Sequence, residues 1–135
     1  MEDRKEILYE YAVVRYVPRV DREEFINIGL IMMCKRMKWL KGLIRMDSRR
    51  LLAFDPKADT DKIERQTLMF MRQDVPSPEL PVEERYRWLS AVKSAAIQVS
   101  PSHPGLLEQK SENIDAADIL NEEFQRLFDD LVALS

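Results

Sequence analysis

Tyr11 to Cys34, YAVVRYVPRVDREEFINIGLIMMC, is the stretch that decides the fold of this 135-residue chain. It reads as two strands joined by the charged turn Pro18 to Glu24, PRVDREE, and so predicts a β-hairpin. In the first run Ala12, Val14 and Tyr16 fall on one side and Tyr11, Val13 and Val17 on the other, so both sides are mostly apolar. In the second, Ile26, Ile28, Leu30, Met32 and Cys34 form a wholly apolar side, while Phe25, Asn27, Gly29, Ile31 and Met33 form a mixed one. Strands apolar on both sides belong in the middle of a covered sheet. If the turn pairs Val17 with Phe25, then Arg15 faces Asn27, Val13 faces Gly29 and Tyr11 faces Ile31. One side is then pure core, and the other gathers a guanidinium and an amide beside a glycine.

The remaining elements follow outward from the hairpin. Trp39 to Met46, reached through the short polar segment Lys35 to Lys38, predicts a third strand whose exposed side carries Lys41 and Arg45. Ser48 can cap a short helical turn that ends at Asp55 before Pro56, and Asp59 or Thr60 can cap a helix with the stripe Ile63, Thr67, Phe70 and Met71. Val75 to Pro81 is a stiff crossover, after which Pro81 starts a helix carrying Val82, Tyr86 and Leu89. Ala95 to Ser100 predicts a fourth strand, followed by the loop Ser100 to Gly105, SPSHPG. The last helix is the clearest, with Asp115 as cap and Leu120, Phe124, Leu127, Phe128, Leu131 and Leu134 on one side. The expected fold class is α+β: residues 1–135 form a single domain in which a three- to four-stranded, mostly antiparallel sheet is packed with about three helices.

Composition bounds the function. With 45% hydrophobic and 33% charged residues and a formal charge of −3, the chain has the make-up of a globular, soluble protein with no general attraction for nucleic acid or anionic membrane. The longest apolar run, Leu30 to Cys34, is far too short to span a bilayer, and Met1 to Glu6 is a charged start without an apolar signal core. The expectation is a cytoplasmic protein without a membrane. Its single cysteine, Cys34, sits in an apolar run and suits a buried packing thiol. Charge is unevenly spread: Lys35 to Arg50 is strongly basic and Glu108 to Asp130 strongly acidic. Either these are solvated faces or the basic region, with Lys41 and Arg45, attracts anions.

Most standard chemistries lack their parts. The three glycines stand alone, which excludes a P-loop, a dinucleotide fingerprint and a nucleophile elbow, and one His with one Cys cannot build a Cys/His zinc site. The acids have no calcium-loop spacing, so no metal and no cofactor is expected. What remains is polar. Burying Arg15 unpaired costs several kcal/mol, so it needs an acid, Glu23 or Glu24 being nearest, or a ligand anion. A second polar cluster comprises Lys93, Ser94, Gln98, Ser100, Ser102 and His103, where a rigid histidine loop can be a binding or acid/base element or simply structure. The candidate binding set is therefore Arg15, Glu24, Asn27, Gln98, Ser100 and His103.

Three segments, YAVVRYVPR…EEFINIGLI (Tyr11 to Ile31), RYRWL (Arg85 to Leu89) and IQVSPSHPGL (Ile97 to Leu106), resemble the hallmark blocks of the bacterial domain-of-unknown-function 3037 family. The resemblance covers most of the chain. It implies that Arg15, Glu24, Asn27, Gly29, Gln98, Ser100, Pro101 and His103 occupy the family's recurring positions, and it carries no established activity. Lys93 and Ala95 stand where the third block has an arginine and a threonine, which weakens any role needing a bidentate guanidinium there. It also implies proximity to HipA-type kinases, since family members are often encoded near them. The expectation is a non-catalytic accessory or adaptor domain binding another protein or itself, with a HipA-like kinase as partner. The alternative is an anion, nucleotide or nucleic-acid site, with phosphoester chemistry as its enzymatic form, built from Arg15, Asn27, Gln98 and His103.

Overall fold

The computed structural model describes residues 5–72, 77–91 and 93–133. Among the described residues, one antiparallel sheet of five strands is covered by four α-helices, one strand and one helix more than expected. β1 (Lys5–Tyr16) lies at the centre, with β2 (Ile26–Cys34) and then β3 (Trp39–Ile44) on one side. On its other side β4 (Ile97–Val99) and β5 (His103–Gln109) follow one another along the same edge. β5 is the strand read as a loop from sequence. Pro104 and Gly105 suggest a break, but an outer strand tolerates proline, and Gly105 makes room for a ring. A Cβ on Gly105 would lie 2.1 Å from Tyr9 Cζ, so the Tyr9 ring occupies the space a side chain would take.

The hairpin carries a bulge that alternation alone hides. Arg15 pairs with Asn27 and Tyr16 with Ile26 as expected, but Val14 then pairs with Gly29, Val13 with Leu30 and Tyr11 with Met32. Ile28 is the extra residue, so the pattern changes sides there. Ile26 and Ile28 join Ala12, Val14 and Tyr16 in one core, whereas Leu30, Met32 and Cys34 join Ile7, Tyr9 and Val13 in the other. The expected single apolar side of β2 is thus divided between two cores. Gly29 also turns away from the Arg15 side. Its backbone φ is not in the left-handed region, so space rather than conformation explains the glycine.

The first core is closed by α1 (Ser48–Phe54), α2 (Thr60–Phe70) and α3 (Val82–Ser90). Asp47, rather than Ser48, caps α1 by accepting from the Arg49 and Arg50 amides, and Asp59 caps α2. Ile63, Thr67 and Met71 turn inward from α2 and its end, as do Val82, Tyr86 and Leu89 from α3. Of the proposed crossover, residues 75–76 lie outside the described residues. The second core is closed by α4 (Ala116–Phe128), capped by Asp115 and continued by a π-helical turn, Asp129–Ala133. Leu120 and Phe124 are fully buried there. Leu134 lies outside the described residues. Among the described residues, no helix is long and apolar enough to cross a membrane.

A tyrosine ties α4 to the sheet. Tyr9 Oη donates to Glu123, whose carboxylate also accepts from Arg126 Nε at 2.6 Å and Nη2 at 3.0 Å. Arg126 beside Glu123 holds its carboxyl below the usual carboxylate range, against the opposing effect of burial, with Tyr9 assisting. A depressed folded pKa means that this contribution is complete above the unfolded value near 4.5 and is lost as pH falls through the lower folded value. Thermal melts from neutral pH downward are expected to drop below about pH 4.5, and Glu123→Gln to flatten that acid limb. An unchanged limb in the variant would remove Glu123 as its source.

Candidate functional site: a polar row across three strands

Arg15, Asn27 and Gln98 lie side by side on β1, β2 and β4, on the side of the sheet that α4 covers. β-Pairing brings together what sequence separates by more than 70 residues. The Asn27 amide donates to Leu131 O at 2.9 Å, holding the π-helical turn. Arg50 works on the same turn, donating to Val132 O at 2.7 Å and to Asn27 O at 3.2 Å. Nothing in the basic run Lys35 to Arg50 singles out Arg50 in sequence. Only the fold brings it to the carbonyls of the turn after α4, where a cation is favoured.

Arg15 does not meet the acid expected for it. Its guanidinium carbon lies 3.9 Å from the centre of the Phe25 ring, a cation–π contact, while Glu24 is exposed and pairs with Arg22 at 2.7 Å. Glu23 takes a left-handed conformation, φ 54°, at the end of the 3-10 turn Val20–Arg22. Arg15 Nε and Asn27 Oδ1 are buried and have no hydrogen-bond partner among the described residues. Gln98 donates to Ala95 O at 2.9 Å, within its own turn.

The other candidates are separate from this row. Ser100 mends the strand: β4 and β5 are out of step by one residue, and Ser100 Oγ accepts from Val13 N at 2.9 Å where a ladder carbonyl would be. Its own amide donates to Val13 O at 2.9 Å. His103 pairs with Tyr11 and its ring lies against the tyrosine's at a tilt of 34°, ring centres 5.2 Å apart. Tyr11 and Arg15 are four residues apart on β1, so His103 lies about 13 Å from the row at 3.3 Å per residue. Lys41 is not on an open face as expected. Its Nζ lies 4.8 Å from the Phe124 ring and donates to Asn121 Oδ1 at 3.3 Å, because α4 packs over that side of β3. Arg45 is exposed beside Asp47 and Arg50, at a hollow of about 10 Å³, room for a single water.

Three buried tyrosines were missed as polar anchors, since in a strand or helix pattern they count as apolar. Burial and then Asp55, which accepts from Tyr16 Oη at 2.7 Å, push Tyr16 up to about 12. Burial likewise raises Tyr86 to about 12, where its hydroxyl meets Ser102 Oγ at 2.7 Å and Ser102 meets Glu10 at 3.3 Å. Tyr9 is raised by burial and by Glu123. All three remain protonated near neutral pH and serve as hydrogen-bond donors or partners rather than bases. Burial lowers Lys93, which lies over the Trp88 ring. Among the described residues, no group of three or more His, Cys, Asp or Glu side chains is arranged to hold a metal ion.

An exposed apolar surface lies on the opposite side of the sheet. Leu8 and Leu106, paired on β1 and β5, are 66% and 53% exposed. Next to them Leu8, Glu10, Met33, Lys35 and Pro104 border a hollow of about 290 Å³. Isolated exposed leucines are ordinary, but adjacent ones beside a hollow form a patch.

A family model described as a protein of unknown function, DUF3037, matches residues 11–132. Neither the comparison with curated proteins nor that with solved structures gives a match.

Proposed function

This chain belongs to the DUF3037 family, described as of unknown function, over residues 11–132, and we propose that it is a small cytoplasmic, non-catalytic adaptor acting through protein–protein interaction. The observation that carries this reading is how the polar residues are employed. Asn27, Arg50, Ser100 and Lys41 each hold one part of the fold to another, and the histidine is remote from the arginine row. An acid/base site needs such groups to converge on a reacting atom. The apolar surface around Leu8, Leu106 and Pro104 has no comparable internal use, and surfaces of that kind mark contacts with other proteins. A HipA-like kinase is the first partner to test, on the strength of the family resemblance alone.

The test is co-purification with a HipA-type kinase encoded in the same genome. Retention is expected for the native chain and for His103→Ala, and loss for Leu8→Glu. Equal retention of Leu8→Glu, or none for the native chain, counts against this surface and this partner.

The alternative, an anion or nucleic-acid site, draws support from the row Arg15, Asn27 and Gln98, whose buried Nε and Oδ1 have no partner among the described residues. It predicts binding of a labelled single strand that weakens steeply with salt and is lost in Arg15→Gln. Such binding would displace the adaptor reading.

A further inference from the structure

Among the described strands β5 pairs only with β1. Val17 N donates to Ala96 O and Ser100 N to Val13 O, so odd-numbered residues of β1 direct their hydrogen-bonding groups toward β4 and β5. In β5 the residues facing them are His103, Gly105, Leu107 and Gln109. The N–H and C=O of Leu106 and the C=O of Pro104 therefore point outward. Proline sits where its missing N–H costs no bond to β1.

We propose that β5 pairs antiparallel with β5 of a second copy, centred on Leu106, so that two sheets become one across a two-fold axis. This deepens the interaction reading above and rests on it. Leu106 opposite itself exchanges both backbone bonds with the other copy. Because Leu8 and Leu106 share a row, a continuous stripe runs Leu8, Leu106, Leu106, Leu8 across the join, covering the two side chains now 66% and 53% exposed. Centring on Leu107 instead would set Leu106 against Glu108, an apolar side chain against a carboxylate.

Charge agrees with the Leu106 register. It sets Pro104 opposite Glu108 of the second copy, so no acid directly faces an acid. It also brings Lys110 alongside Ser102 of the second copy, whose hydroxyl lies 3.3 Å from the Glu10 carboxylate. A cation from each copy thus approaches an anion of the other. One short strand and one leucine row fall at the low end of specific interfaces, below about 1,200 Å², so the pair is weak and concentration-dependent.

Sedimentation velocity on the native chain up to about 1 mM is expected to reveal a reversible dimer, and Leu106→Lys to stay monomeric at every concentration with an unchanged melting temperature. Leu106→Cys gives a second reading. Facing Cα atoms in such a pair are about 5.5 Å apart, within disulfide range, so diamide should link the copies quickly. The native Cys34 is fully buried, which leaves the background low. Leu52→Cys, at an exposed position on α1, is the control. A native chain that stays monomeric at the highest concentration, or Leu106→Cys linking no faster than Leu52→Cys, overturns the proposal. If the monomer still retains a kinase partner, only the self-pairing fails and the adaptor reading stands.

Discussion

Phe124→Ala is expected to cost about 3–5 kcal/mol. Phe124 is fully buried, meets Trp39 edge-on with ring centres 6.4 Å apart, and stacks on Phe128 at 6.1 Å. Lys41 lies over the same ring, so truncation removes both a filled volume and a cation–π partner. A domain of this size has a total stability of about 5–15 kcal/mol, so much of the margin disappears. Urea unfolding followed by far-UV circular dichroism measures it. The midpoint should fall with little change in slope, while Leu106→Ala on the exposed row should shift it by no more than about 0.5 kcal/mol. A Phe124→Ala loss below about 1 kcal/mol would mean that α4 does not pack on this side of the sheet.

Gly29→Val is expected to be damaging by overpacking rather than by loss of volume. A Cβ at this position would lie 2.3 Å from Ile44 Cδ1, 3.0 Å from Leu43 O and 3.2 Å from Val14 Cβ. The isoleucine tip can move, but Leu43 O belongs to the backbone of the paired strand, so β3 itself must shift. Overpacking of this kind costs about 1–3 kcal/mol for the first added carbon, and valine adds two more. The strain falls at the bulge, where Arg45 N donates to Ile28 O, so amide exchange should rise first along β2 and β3. Exchange accelerating equally in α4 and β5 would show instead that the bulge is not a local seat of strain.

These two sites also mark how far sequence reading reaches. The strand pair Tyr11 to Cys34 was legible because alternation reports burial directly, and the pairing of Arg15 with Asn27 agrees with the register assumed for the turn. The helices were legible for a similar reason: Asp59 and Asp115 cap them, and Leu120 and Phe124 recur at helical spacing. The bulge was not legible. A residue inserted into a run apolar on both sides leaves the pattern almost unchanged, so nothing in Ile26 to Cys34 announces that its even positions divide between two cores. β5 was hidden for the opposite reason, since Pro104 and Gly105 carry loop signals that an outer strand can absorb.

The candidate site was legible in part. Arg15, Asn27 and Gln98 do lie side by side, but the partner expected for Arg15 was an acid or a ligand anion, and the structure sets the Phe25 ring against it. Sequence can say that a buried cation needs company, because desolvation is a property of the residue. It cannot say which neighbour provides it, because that depends on chain geometry.

The sequence by itself determined the α+β class, the central hairpin and the amphipathic final helix, since each depends on hydrophobic periodicity and capping within a few residues. Tertiary structure alone decided that Arg50 would clamp the end of α4, that Ser100 would repair the edge of β1, and that Leu8 and Leu106 would stand together in the open. The last two outcomes come from strand register, which joins residues 87 and 98 positions apart and which a shift of one residue would have changed, whereas the Arg50 clamp comes from how α1 and the turn after α4 dock on the sheet.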